Sequence, residues 1–197
     1  MNARGRSTRE RLLRATSEVV RDVGYAQASI RAVAQAAGIA EGTIYRHFPD
    51  KTSLLLAAVA EQHAPITAWM AQLPGQVGQG EVVDVLTECL ARLAALRETV
   101  LPLELAMLTD PELAQRAAAS LPDDGTDPPA LLARYLAAEQ QAGRLRRDVD
   151  PGEAAVLVLV TLFGLMTAPG AREATGRVPV LSIRRAVELL LQGLAAT

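Results

Sequence analysis

Residues 28–51 read ASIRAVAQAAGIAEGTIYRHFPDK, and this stretch decides the fold. Ser29 is placed to cap a short helix carrying Ile30, Val33, Ala34 and Ala37. Gly38 ends that helix, because glycine takes the left-handed backbone that redirects a chain. A second short helix fits residues 41–47, closed by Pro49-Asp50. Ala34 is small where two crossing helices must approach, and Val33, Ala37, Ile39 and Ile44 supply a shared core. A small residue, a glycine turn and apolar contacts are what a helix-turn-helix needs. Alanine-rich helical hairpins imitate this much.

The next residues are harder to imitate. At about 100° per residue, Ile44 and Phe48 point inward while Gly42 and Arg46 point outward, flanked by Thr43 and Tyr45. One short helix thus offers a bare backbone spot, an arginine, a hydroxyl and a phenol on one surface. Tyr45 and His47 are able to bond phosphate, and Lys51 opens the next helix, where free backbone N–H groups favour phosphate. A glycine in so short a helix costs about 1 kcal/mol relative to alanine. Close approach from outside accounts for it.

Working outward, the remaining chain reads as helices with clear punctuation. Ser7 with Glu10 forms a capping box for a first helix that Gly24 stops. Asp50 caps a fourth helix over residues 51–73, bent near Pro65. Helices then fit roughly 81–97, 101–109, 111–120, 129–142, 151–167 and 181–195. Turn chemistry from Pro122 to Pro129 precedes the last three, and a loop from Pro169 to Pro179 separates the final two. The fold class is all-α: a three-helix N-terminal helix-turn-helix domain over 1–50, and a C-terminal helical domain over 51–197. Nine or ten helices are expected, the helix over 51–73 connecting the two domains.

Composition supports this reading. Of 197 residues, 50% are apolar and 21% charged with net charge −2, which excludes a disordered chain. Aromatics are only 3%, and Lys51 is the single lysine. One cysteine, Cys89, excludes a disulfide framework and a cysteine zinc cage. The start MNARGRSTRERLL has no apolar signal region, and the longest apolar run is too short for a bilayer, so a cytoplasmic location is expected. Residues 1–51 hold nine basic and five acidic side chains, whereas residues 52–197 hold eleven and seventeen. A basic head on an acidic remainder fits a polyanion-binding module.

Residues Ser7 to Leu56, including SIRAVAQAAGIAEGTIYRHFPDKTSLL, resemble the DNA-binding domain of the tetracycline-repressor-type (TetR) family of bacterial transcriptional regulators. The run GTIYRHFPDK is highly specific. The resemblance implies a homodimer reading successive major grooves of a palindromic operator in double-stranded DNA. It also implies a divergent C-terminal domain that binds a small-molecule ligand releasing the protein from DNA. Position by position, Thr43 matches a base or phosphate contact, and Tyr45, His47 and Lys51 match phosphate contacts. Gly42 matches a point of close approach. Ser29 and Arg31 match positions reaching the backbone or an adjacent base, and Arg46 is assigned to base or phosphate. Ala40 departs from the pattern, standing at a cap where the family often has serine. The dimer is expected through helices 151–167 and 181–195, the first of them apolar nearly all round.

For the ligand, Trp69, Glu104, Met107, Tyr135 and Phe163 are candidate contacts, because large side chains are scarce and Glu104 sits in the apolar run VLPLELAML. Arg4 and Arg6 are a minor-groove arm or a tail attracted to DNA without sequence preference. Cys89 reads as a core residue, His63 as a surface or bend contact, and Asp150 with Glu153 as a helix cap rather than a cation loop. No phosphate loop, nucleophile elbow or metal-spaced histidine pair occurs, so no enzyme, cofactor, metal or membrane role is expected. The alternatives are an activator or ligand-independent regulator, and a helical adaptor using the helix-turn-helix as a protein-interaction surface.

Overall fold

Glycine, proline and short polar caps cut the sequence into helices, and the structure follows this punctuation closely. The computed structural model describes residues 3–121, 124–167 and 181–194. Among these residues the α-helices are α1 (Ala3–Gln27), α2 (Ile30–Ala37), α3 (Glu41–Tyr45), α4 (Lys51–Met70) and α5 (Val82–Ala94). There follow α6 (Arg97–Thr109), α7 (Pro111–Ser120), α8 (Pro128–Gln141), α9 (Pro151–Thr167) and α10 (Ile183–Leu194). A short 3-10 turn spans Leu73–Gln76. The architecture is all-α, and no described helix is long and apolar enough to cross a membrane. The expected loop from Pro169 to Pro179 lies outside the described residues, as do residues 122–123 of the preceding turn and the Arg4 side chain.

Several expected boundaries move. Helix α1 begins at Ala3, so Ser7 lies inside the helix instead of capping it; Ala3 and the arginines beside it are good helix formers. Gly24 interrupts α1 at φ 78, and a further turn then carries the chain to Gln27. Helix α6 starts four residues early, placing Pro102 inside it at the cost of one backbone bond. Helix α4 stops at Met70 with Pro65 inside, and the 3-10 turn takes over beyond.

In space the chain forms two units, residues 1–64 with 96–121 and residues 65–95 with 122–197. This grouping is not sequential: α6 packs against α1 and α7 against α6, so both belong with the N-terminal helices. The first unit's core gathers Leu12 and Leu13 of α1, Val33 and Ala37 of α2, Ile44 of α3 and Leu54 of α4. Thr16 and Ser17 are buried here but donate to the Leu12 and Leu13 carbonyls at 2.7 and 3.2 Å, so neither hydroxyl is left unsatisfied. The second unit packs α8 on α9 and α10 on α5 and α9, burying Leu90, Leu132, Leu136, Val158 and Val187. Cys89 is fully buried, and burial pushes its thiol up to about 12, which suits a core residue and not a reactive one.

Aspartates cap the starts of α7, α8 and α9, the one at α8 within a stretch that the sequence marks only as a turn. Asp110, Asp127 and Asp150 accept from the backbone N–H of Leu113, Ala130 and Glu153 at 2.9–3.0 Å. Asp150 is thereby explained as a cap, and Asp148 is paired with Arg146. Helix α3, like α5 and α6, has no side-chain cap: Ala40 has the extended cap backbone (φ −73, ψ 142) but no side-chain acceptor. Ala40→Ser supplies the missing acceptor without backbone change and is expected to stabilise the first unit by about 1 kcal/mol. Paired urea denaturations of the variant and the parent check it.

Candidate nucleic-acid interface

The sequence Ala28 to Lys51 folds locally as its residue types dictate. Ser29 Oγ accepts the Ala32 N–H at 3.1 Å, fixing the start of α2. Gly38 takes φ 63, and its N–H and that of Ile39 close the helix on the Gln35 and Ala34 carbonyls. The chain turns and α3 runs for only five residues, shorter than the 41–47 expected. Beyond Tyr45 the backbone tightens, with the N–H groups of His47 and Phe48 both donating to the Ile44 carbonyl at 2.8 and 2.9 Å. That turn drives Phe48 inward beside Ile44; the two are 5% and 0% exposed.

What remains outside is the expected face. Gly42, Tyr45 and Arg46 are exposed, Tyr45 at 55%, and Thr43 and His47 are half-buried at its margins. Arg46 Nη2 donates to Thr43 Oγ1 at 3.1 Å, so arginine and hydroxyl form one polar group on the helix surface. A Cβ built at Gly42 meets nothing within 4 Å, and Gly42 is absent from the positive-φ glycines. Neither internal packing nor backbone conformation therefore calls for glycine there.

Ser29 and Arg31 are exposed at the start of α2. Lys51 is more confined than expected. Its Nζ donates to the Ala26 carbonyl at 3.4 Å and lies 5.4 Å over the Tyr25 ring, and burial lowers its pKa. Asp50 caps α4 through the Ser53 N–H at 2.8 Å. Arg116 of α7 reaches the same carboxylate at 2.8 and 2.9 Å, and the Ser53 bond together with Arg116 holds Asp50 below the usual carboxylate range. Sequence reasoning missed this pairing, since no local pattern links positions 66 residues apart. It also missed Arg9, whose guanidinium stands 5.4 Å over the Phe48 ring.

The five candidate ligand contacts are distributed over both units. Trp69, Tyr135 and Phe163 belong to the second, Glu104 and Met107 to the first. Trp69 is half-buried under the Arg92 guanidinium at 4.5 Å, whereas Tyr135 is 1% exposed. A cavity of about 590 Å³ in the second unit is lined by Val82, Arg144, Leu145, Arg185 and Leu191 among others, and by none of the five. Burial raises the carboxyl of Glu104 above its ordinary 4.5. The folded chain thus holds that proton more tightly than the unfolded one, so its stability falls as pH rises through the window above 4.5. Glu104→Gln is expected to raise the urea midpoint at neutral pH, with the advantage vanishing below 4.5.

Comparison with known proteins follows the same division between head and remainder. Residues 12–58 match the family model for bacterial regulatory proteins of the tetR family. The HTH-type transcriptional repressor KstR of Mycobacterium tuberculosis is 41% identical over 63 residues, 32% of this chain and 29% of that protein. The chain's match thus spans under a third of that relative. The HTH-type transcriptional regulator UidR of Escherichia coli is 24% identical over 169 residues, 84% of this chain and 83% of UidR. Among solved structures, Thermus thermophilus FadR, a TetR-family transcriptional repressor in complex with lauroyl-CoA, superposes with a TM-score of 0.65 at 26% identity. That superposition covers 93% of this chain and 91% of FadR. The head thus matches the tetR family model over residues 12–58, and over nearly the whole chain the fold is similar to that of a TetR-family repressor.

Proposed function

We propose that this protein is a ligand-responsive DNA-binding transcriptional regulator, a homodimeric repressor of a palindromic operator that a small molecule releases. The observation that carries the reading is the outer face of α3, where Gly42 is bare for no internal reason beside Tyr45, Arg46 and Thr43. A recognition helix needs such a face, since the unique pattern of base edges is read where backbone and side chains enter the major groove. In this reading Arg46 and Thr43 reach bases or phosphate, and Tyr45, His47 and Lys51 hold phosphates on either side. Ser29 and Arg31 reach the backbone from the start of α2. The relatives named as repressors support the sense of the regulation.

The two-fold partner is proposed to cover α9 and α10. Val156, Leu157 and Val160 of α9 are 53%, 51% and 59% exposed, and Leu189 of α10 is 45% exposed. Spacings of three and four residues put the α9 group on one stripe, opposite the buried Ala155, Val158 and Leu162. A stripe of that chemistry is what an isologous interface buries. Trp69, Glu104, Met107, Tyr135 and Phe163 stand as the proposed ligand contacts. FadR, solved with lauroyl-CoA, supports a small-molecule effector as the general mode.

Fluorescence anisotropy with a labelled operator duplex tests the proposed contacts. Arg46→Ala is expected to weaken binding by about 1–3 kcal/mol and to relax sequence choice, as loss of a base-reading arginine does. Tyr45→Phe keeps the ring and loses one hydroxyl, so about 1 kcal/mol of affinity goes with sequence choice unchanged. Affinity unchanged in both variants contradicts the assignment.

A further inference from the structure

A groove of about 470 Å³ lies within the first unit, walled by α1, α4 and α7, and it takes no part in the proposed reading face. Its size is that of a small-molecule site. Leu56, Ala57, Ala60 and Ala119 make an aliphatic wall, and Arg9 and Arg116 supply its charge. Its hydroxyls are committed elsewhere: Ser120 donates to the Ala117 carbonyl at 2.7 Å, and Ser53 accepts from Arg116 at 3.1 Å.

The two guanidiniums are less well matched. Arg116 meets Asp50 and Ser53 through Nη2 alone, leaving Nε and Nη1 with no bond among the described residues. Arg9 has no carboxylate partner among the described residues and is held only by the Phe48 ring. Two cations and one carboxylate leave a single positive charge beside an aliphatic wall. A guanidinium favours a planar carboxylate, to which it presents two parallel N–H groups.

We propose that this groove binds a small amphipathic carboxylate, the anion set between Arg9 and Arg116 and the aliphatic part lying on Leu56, Ala60 and Ala119. A monoanion matches the residual charge, and an aliphatic tail matches the wall; free phosphate offers no tail. The bound carboxylate competes with Asp50 for Arg116. Asp50 also caps α4 through Ser53, so occupancy of the groove acts on the turn between α3 and α4 from behind.

Calorimetric titration of the full chain with hexanoate, in the absence of DNA, tests the site independently of any DNA reading. Hexan-1-ol is the neutral control. Saturable binding of hexanoate and none of hexan-1-ol is expected. Arg9→Gln and Arg116→Gln are each expected to weaken it about tenfold, the loss of one charge-assisted partner. Asp50→Asn removes the competing charge while keeping a capping oxygen, and is expected to tighten binding. Arg9 makes no ion pair among the described residues, so Arg9→Gln stays informative even where Arg116→Gln unfolds the unit. Equal binding of hexan-1-ol, unchanged affinity in Arg9→Gln, or no saturation at millimolar hexanoate overturns the proposal. So does a fall in DNA affinity and in its salt dependence in both arginine variants without hexanoate binding, which makes the cations phosphate contacts.

Discussion

Arg144→Gln is expected to lower the unfolding free energy of the second unit by about 3 kcal/mol, the low end for stranding a buried charge. The Glu139 carboxylate on α8 is 2% exposed, and Arg144 Nε at 3.2 Å is its counter-charge. That guanidinium, 26% exposed and also bonded to the Gly80 carbonyl, retains some contact with water, which tempers the effect. No directed hydrogen bond reaches Glu139 Oε2, so the pair rests on charge, and the neighbouring Tyr135 hydroxyl has no partner in the described structure. Burial first, and then the Glu139 carboxylate, raises the Tyr135 phenol well above its ordinary value, keeping it neutral. Removing Arg144 leaves a carboxylate that is 2% exposed in the folded chain without its counter-charge. The double variant Glu139→Leu with Arg144→Met removes both charges and is expected to recover most of the loss, giving strong non-additivity. Trp69 is the only tryptophan and lies in the second unit, so its fluorescence in urea reports that unit directly. Equal midpoints for Arg144→Gln and the parent contradict the charge argument.

Val160→Asp is expected to turn the proposed dimer into a monomer and to weaken operator binding by about 10²–10⁴-fold, the range over which a linked second site adds avidity. Val160 is the most exposed of the three large apolar side chains on the α9 stripe, and its change leaves the buried side of the helix untouched. A carboxylate facing its own two-fold copy costs desolvation and repulsion on both sides of the interface. Sedimentation velocity reads the assembly and anisotropy reads the affinity. A dimer that survives Val160→Asp places the two-fold contact elsewhere. A monomer with full operator affinity removes the dimer from the mechanism.

Local chemistry explains what was legible in the sequence. Ser29, Gly38, Asp110, Asp127 and Asp150 are caps and turn residues acting within five positions of themselves, and each does in the structure what its type predicts. The inward and outward residues of α3 followed from helical geometry alone, and Ile44 and Phe48 are buried accordingly. The start of α1 was misread because a capping box at Ser7 competes with good helix formers before it, and propensity prevailed. Non-local pairing left no trace. Arg116 meeting Asp50, Arg9 over Phe48 and Arg144 beside Glu139 depend on which helices share a unit, and the grouping of α6 and α7 with the head has no sequence signature. Side-chain size, the signal for Trp69, Met107, Tyr135 and Phe163, does not encode direction. Trp69 and Tyr135 accordingly differ in burial and environment.

The most direct test of the central claim, that the outer face of α3 reads DNA as one of a two-fold pair, is selection of the purified chain on random duplexes at near-physiological salt. The account predicts recovery of a two-fold symmetric sequence with half-sites about one helical turn, ~34 Å, apart. Enrichment of nothing symmetric, with weak binding that vanishes on modest addition of salt, leaves only the electrostatic attraction of the basic head and contradicts it.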